Sequence, residues 1–128
     1  MKWLTQDNLI RLALIIVLLT HSIPSILTGD VNNFGKLYLD AVGFAPFGLV
    51  LAWSIKLSHL ACAISLMVNR FLKPLGFITI FIWIVGIFMV HWKEGWFVIG
   101  GGRNGIEYNV FLIFAMAAVL IGARKEKV

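Results

Sequence analysis

Apolar residues are concentrated in four long stretches of this chain, and polar residues fall mainly between them. The stretches cover about residues 8–27, 46–68, 72–92 and 106–122. Each approaches or exceeds the roughly 20 residues that a helix needs to cross the hydrocarbon core of a bilayer. Because backbone amides left unpaired in hydrocarbon are costly, each stretch must satisfy its own by forming a helix. The pattern predicts an all-α, integral membrane four-helix bundle in a single domain over residues 1–128.

The connection between the first two stretches is the longest, and it has a pattern of its own. Five apolar residues recur at helical spacing opposite two charged ones: Phe34, Leu37, Tyr38, Ala41 and Val42 against Lys36 and Asp40. This spacing is typical of a helix that lies flat at a membrane surface. We therefore expect a short interfacial helix between helices 1 and 2.

Composition supports a lipid environment. Hydrophobic residues make up 60% of the 128 residues and charged residues 13%, about half the charged share of a soluble domain. The net charge of +5 does not indicate nucleic acid, because the basic residues form no continuous patch. The positions of the basic residues along the chain instead indicate how it is oriented across the membrane. Most fall at the two termini and in the second loop: Lys2, Arg70, Lys73, Arg124, Lys125 and Lys127. By the positive-inside bias, both termini are predicted to be cytoplasmic.

The ionisable residues within or beside the apolar stretches are the candidate site. In the predicted topology, one cluster falls in the outer half of the bundle: His21, Lys56, His59, His91 and Glu107. A charge near the bilayer centre costs at least about 2.5 kcal/mol, so Lys56 needs a partner. Glu107 is the expected counter-charge, and the histidines would extend a hydrogen-bonded network. Such a cluster could bind a polar headgroup or relay protons.

Structural explanations compete with this hypothesis for several residues. His91 ends a predicted helix, where an imidazole interacts with the helix dipole, and Glu107 follows Asn104 at the spacing of a capping box. Arg11, on the cytoplasmic side, is predicted either to anchor the first helix through Asp7 or to form a site there. No metal site is predicted. Haem would require His21 and His91 to face each other and is the weaker interpretation.

Several of these residues resemble the DoxX family of small four-helix bacterial membrane proteins over most of the chain. The resemblance lies in Arg11 and His21, in Lys56, His59, Asn69-Arg70-Phe71 and Pro74-Leu75, and in His91, Gly95-Trp96-Phe97, the glycine run and Glu107. It implies a multi-pass protein of the bacterial inner membrane with a redox association. Related proteins are similar to the membrane subunit of a thiosulfate:quinone oxidoreductase. His59 departs from the family pattern, in which we expect a glutamate.

The leading hypothesis is therefore a membrane subunit of a quinone-linked redox system. The chain carries no flavin, nicotinamide or iron–sulfur motif and no self-contained catalytic motif, so a partner subunit would have to supply electrons. Quinone is the cofactor that this hypothesis requires. The alternative is a non-catalytic assembly or anchoring protein, favoured by a stripe of small residues on the second helix: Ser54, Ser58, Ala61, Cys62 and Ser65. A small-solute transporter is less well supported, because no inverted repeat is present. A homodimer fits the small bundle, although no motif specifies one.

Overall fold

The computed structural model describes residues 4–100 and 102–123, and all of its regular elements in these ranges are helices. The α-helices are α1 (Gln6–Thr28), α2 (Asp30–Asn33), α3 (Gly48–Val68), α4 (Leu72–Gly86) and α5 (Glu107–Gly122). A π-helical segment, Phe34–Phe44, joins α2 to α3. Beyond α4, the chain continues through a π-helical turn, Ile87–His91, and a 3-10 turn, Trp92–Glu94.

In the described part of the chain, three helical spans are long and apolar enough to cross a membrane. They are Gln6–Thr28, Gly48–Val68 and Leu72–Glu94, and they confirm that the apolar pattern is that of a membrane protein. The predicted stretches agree with these spans to within about two residues at most ends. The fourth stretch forms α5, an apolar helix of 16 residues. Lys2, Arg124, Lys125 and Lys127, on which the predicted topology partly depends, lie outside the described residues.

The four long helices pack in a closed ring. Helix α1 contacts α3 and α5, while α4 contacts α3 and α5. The core between them is apolar and includes Leu14, Leu18, Cys62, Leu66 and Met116, each no more than 3% exposed. Large apolar side chains are exposed on the outer faces of all four helices. In water this surface would be unfavourable, whereas lipid solvates it.

The Phe34–Phe44 segment packs closely on the first turn of α3. A Cβ atom on Gly35 would stand 2.6 Å from the Cα atom of Leu49, so only glycine fits at this contact. The carboxylate of Asp40 accepts a hydrogen bond of 2.8 Å from the amide of Gly48. Gly43, with a φ of 118°, then turns the chain toward α3. Asp40 therefore ties the segment to α3 through a backbone amide.

Candidate functional site

A cavity of about 760 Å³ lies at one end of the bundle. This end, which we call the distal end, holds the last residues of α1 and the first residues of α3. All four long helices and the Phe34–Phe44 segment contribute to the lining of this distal cavity, which is open on one side. Most of its wall is apolar, with contributions from Leu18, Leu39, Leu51, Ile55, Ile82 and Leu112.

Four of the five residues predicted to cluster line the distal cavity. His21 comes from α1, Lys56 and His59 come from α3, and His91 ends the π-helical turn after α4. Glu107 does not line the cavity. The structure therefore brings together the basic members of the predicted cluster and separates the acidic one from them.

Lys56 satisfies its ammonium group without a carboxylate. Its Nζ atom donates a hydrogen bond of 2.7 Å to the carbonyl oxygen of His21 and lies 5.3 Å from the centroid of the Phe34 ring. Within the described part of the chain, no carboxylate oxygen lies within 4.0 Å of Lys56. The predicted pairing of Lys56 with Glu107 is therefore wrong.

Glu107 organises the loop before α5. Its Oε1 atom accepts hydrogen bonds from the amides of Val98, at 2.7 Å, and Ile99, at 2.8 Å. These amides belong to an irregular loop that has no helix to pair them, and a carboxylate satisfies both at once. The role of Glu107 in this structure is to fold that loop, which explains why it is not available to Lys56.

His59 is the most buried of the ionisable residues in the distal cavity, with 7% of its surface exposed. Its Nδ1 atom is buried and has no hydrogen-bond partner among the residues that the structure describes, and its ring centroid lies 6.1 Å from that of Trp83. An unpaired buried N–H group is rarer than an unpaired acceptor, so we assign the ring proton to Nε2. Because burial closes off Nδ1, a ligand can reach this imidazole only through Nε2.

The other two histidines lie nearer the open side. His21 is exposed, and its ring centroid lies 6.3 Å from that of Tyr108. The Nδ1 atom of His91 lies 2.7 Å from the carbonyl oxygen of Asn104, which joins the end of the third span to the loop before α5. Among the described residues, no three His, Cys, Asp or Glu side chains are grouped as metal ligands.

Four polar residues that line the distal cavity were not predicted as site residues: Tyr38, Asn104, Tyr108 and Asn109. Asn109 donates a hydrogen bond of 3.1 Å from Nδ2 to the carbonyl oxygen of Trp83. Burial and the charge of Glu94 raise the pKa of Tyr38, so its hydroxyl stays protonated. Asn109 could have been predicted as a site residue, because it is a lone amide in the last apolar stretch. Tyr38 gave no such signal, because its spacing placed it on the apolar face of the predicted interfacial helix.

Arg11 lies at the opposite end of the bundle and does not line the distal cavity. Its Nε atom donates to Asp7 at 2.6 Å, while Nη1 donates to the carbonyl of Leu66 at 3.4 Å and to Asn69 at 3.3 Å. The guanidinium thus joins the start of α1 to the end of α3. Of its two predicted roles, these contacts favour the anchor.

No family model, no curated protein and no solved structure matches this chain. The resemblance to the DoxX family, which was drawn from residues such as His91, Trp96 and Glu107, stays a prediction.

Proposed function

We propose that this chain is a DoxX-like integral membrane protein that acts as the membrane subunit of a quinone-linked redox system. In this proposal, the distal cavity binds the quinone headgroup. The observation that carries the proposal is the combination of apolar walls with a basic, hydrogen-bonding wall on α1 and α3. A cavity of 760 Å³ also falls within the size range of small-molecule sites.

The proposed topology places all four long helices across the bacterial inner membrane, with both termini in the cytoplasm. Helix α5 packs along α1 and α4, and its 16 residues cover roughly 24 Å at 1.5 Å per residue. In this orientation the distal end faces outward, and the Phe34–Phe44 segment lies in the outer interface. Arg70 and Lys73 then lie on the cytoplasmic side, as the positive-inside bias requires.

A quinone fits the chemistry of the distal cavity in two respects. Its carbonyl oxygens are acceptors, and the wall formed by α3 offers donors in the ammonium of Lys56 and the Nε2 of His59. Its isoprenoid tail needs an apolar exit. Phe81 lines the cavity although 65% of its surface is exposed, so the cavity reaches the lipid-facing surface beside α4. Electrons would come from a partner subunit, while the histidines could relay protons.

The proposal is tested by equilibrium binding of a short-chain quinone to the protein in lipid nanodiscs, with empty nanodiscs as the blank. Saturable binding is expected. Ile82→Trp fills the cavity and should weaken binding by at least about tenfold, which corresponds to about 1.4 kcal/mol. Ile84→Trp is the matched control, because Ile84 is exposed on the same helix and does not line the cavity. Absence of saturable binding to the wild-type protein would overturn the proposal.

The alternative, a non-catalytic assembly or anchoring protein, has one structural observation in its favour. The hydrogen bonds from Lys56 to α1 and from Asn109 to α4 both join neighbouring helices. Within the small-residue stripe, Cys62 and Ser65 are buried whereas Ser54 is exposed, so only part of the stripe supports close helix packing. If this alternative holds, Lys56→Met should lower thermal stability in detergent without changing a partner's turnover per assembled complex. Co-purification in mild detergent would identify that partner.

A further inference from the structure

Among the described residues, the titratable side chains that line the distal cavity include no carboxylate. They are His21 from α1, Tyr38 from the π-helical segment, Lys56 and His59 from α3, His91 after α4, and Tyr108 from α5. An aqueous site could balance such a set with solvent ions. Within a membrane, however, a basic set without a carboxylate leaves its positive charge uncompensated.

Of the four acidic side chains near the distal end, three are engaged elsewhere, and the fourth, Asp30, is exposed and forms no ion pair with Lys56 in the described structure. Asp40 accepts from the amide of Gly48, Glu94 pairs with Arg103 at 3.0 Å, and Glu107 holds two loop amides. The carbonyl of His21 and the ring of Phe34 solvate the ammonium of Lys56, but neither carries a negative charge. In the described structure, the counter-charge that this ammonium lacks is not supplied by any nearby side chain.

We infer that the distal cavity selects an amphiphile whose polar end is an ionised ring hydroxyl, such as a hydroxyquinone or a quinol in its anionic form. This inference deepens the proposed function and rests on it. Lys56 and His59 lie three residues apart on α3 and therefore project on the same side of the helix. An oxyanion between them accepts one hydrogen bond from Nζ of Lys56 and another from Nε2 of His59. Charge-assisted hydrogen bonds of this kind are roughly twice as strong as neutral ones.

A matched pair of probes separates charge from shape. One is an alkylated 2-hydroxy-1,4-naphthoquinone, which is ionised at neutral pH, and the other is its neutral 2-methoxy analogue. Both are titrated into the protein in phosphatidylcholine nanodiscs, and partitioning into empty nanodiscs is subtracted. The hydroxy compound should bind about tenfold more tightly, the size expected for one hydrogen bond to a charged group. Lys56→Met should remove this difference, whereas Lys56→Arg should preserve most of it. The control is Lys36→Met, because Lys36 is exposed and does not line the cavity.

Each remaining outcome has a definite meaning. If the methoxy compound binds the wild-type protein as tightly as the hydroxy compound, the inference is overturned while the proposed function stands. If neither compound binds saturably, both are overturned. A tenfold difference that persists in a folded Lys56→Met protein would also overturn the inference, because another group would then supply the charge. If Lys56→Met does not fold, the wild-type comparison of the two probes still decides.

Discussion

The contact between Gly35 and the start of α3 allows a sharp test of how the Phe34–Phe44 segment is held. In a Gly35→Ala protein, the new methyl group would lie 2.6 Å from the Cα of Leu49, 2.8 Å from the carbonyl oxygen of Gly48 and 2.9 Å from the amide nitrogen of Leu49. All three are backbone atoms, so none can move by a rotamer change. The segment and α3 would have to separate by roughly 0.8 Å to reach ordinary contact at 3.4 Å.

Overpacking of this kind typically costs about 1–3 kcal/mol, and rigid backbone on the receiving side favours the upper half of that range. We therefore expect Gly35→Ala to lower the free energy of unfolding by about 2–3 kcal/mol. The measurement is an SDS titration of the protein in mixed micelles, followed by circular dichroism. Because Phe34, Tyr38 and Leu39 line the distal cavity, the same substitution should also weaken quinone binding.

Gly76→Ala is the matched control. Its new methyl group would also meet an atom at 2.6 Å, but that atom is the Cδ2 of Leu120, the end of a flexible side chain. The gain in helix propensity, about 1 kcal/mol, should offset much of the cost of moving it. If Gly35→Ala proves no more destabilising than Gly76→Ala, the close packing described between the segment and α3 is wrong.

Three further predictions concern the ends of the bundle and the polar contacts between helices. Arg11→Met should lower the free energy of unfolding by about 1–3 kcal/mol through loss of its hydrogen bonds. Arg103→Met, which removes an exposed ion pair, should cost less than about 1 kcal/mol, and equal effects in SDS titrations would contradict this. Asn109→Ala should cost roughly 0.6–2 kcal/mol, because it removes a buried hydrogen bond between α5 and α4, whereas exposed Asn104→Ala should be neutral in the same assay. Glu107→Gln should speed amide hydrogen exchange at Val98 and Ile99 and leave quinone affinity unchanged; a large loss of affinity would place Glu107 in the site after all.

The spans were accessible from sequence because hydrocarbon forces a long apolar stretch to be helical, whatever its neighbours. The convergence of His21, Lys56 and His59 on one cavity followed from their positions along antiparallel helices. The hydrogen-bond partner of Lys56 could not be predicted in the same way. A carbonyl of α1 and the ring of Phe34 are contacts that depend on how the Phe34–Phe44 segment folds over the bundle.

The hydrogen-bond partners of Glu107 could not be predicted from sequence either. The spacing to Asn104 suggested a local cap, and the cost of an isolated charge suggested Lys56 as its partner. The carboxylate instead accepts hydrogen bonds from the amides of Val98 and Ile99, which lie nine and eight residues before it in sequence. Unpaired backbone donors in an irregular loop leave no periodic signal, so their demand for an acceptor becomes visible only in three dimensions.

The central claim, that a quinone headgroup enters the distal cavity, is tested most directly by photo-crosslinking. A short-chain azidoquinone is irradiated with the protein in nanodiscs, and the labelled residues are mapped by mass spectrometry. We expect labels within residues 51–59 of α3 and 81–90 of the third span, with protection by excess unlabelled quinone. Labels confined to lipid-facing residues outside the cavity, such as Phe77 and Phe111, or labels that excess quinone does not reduce, would contradict the claim.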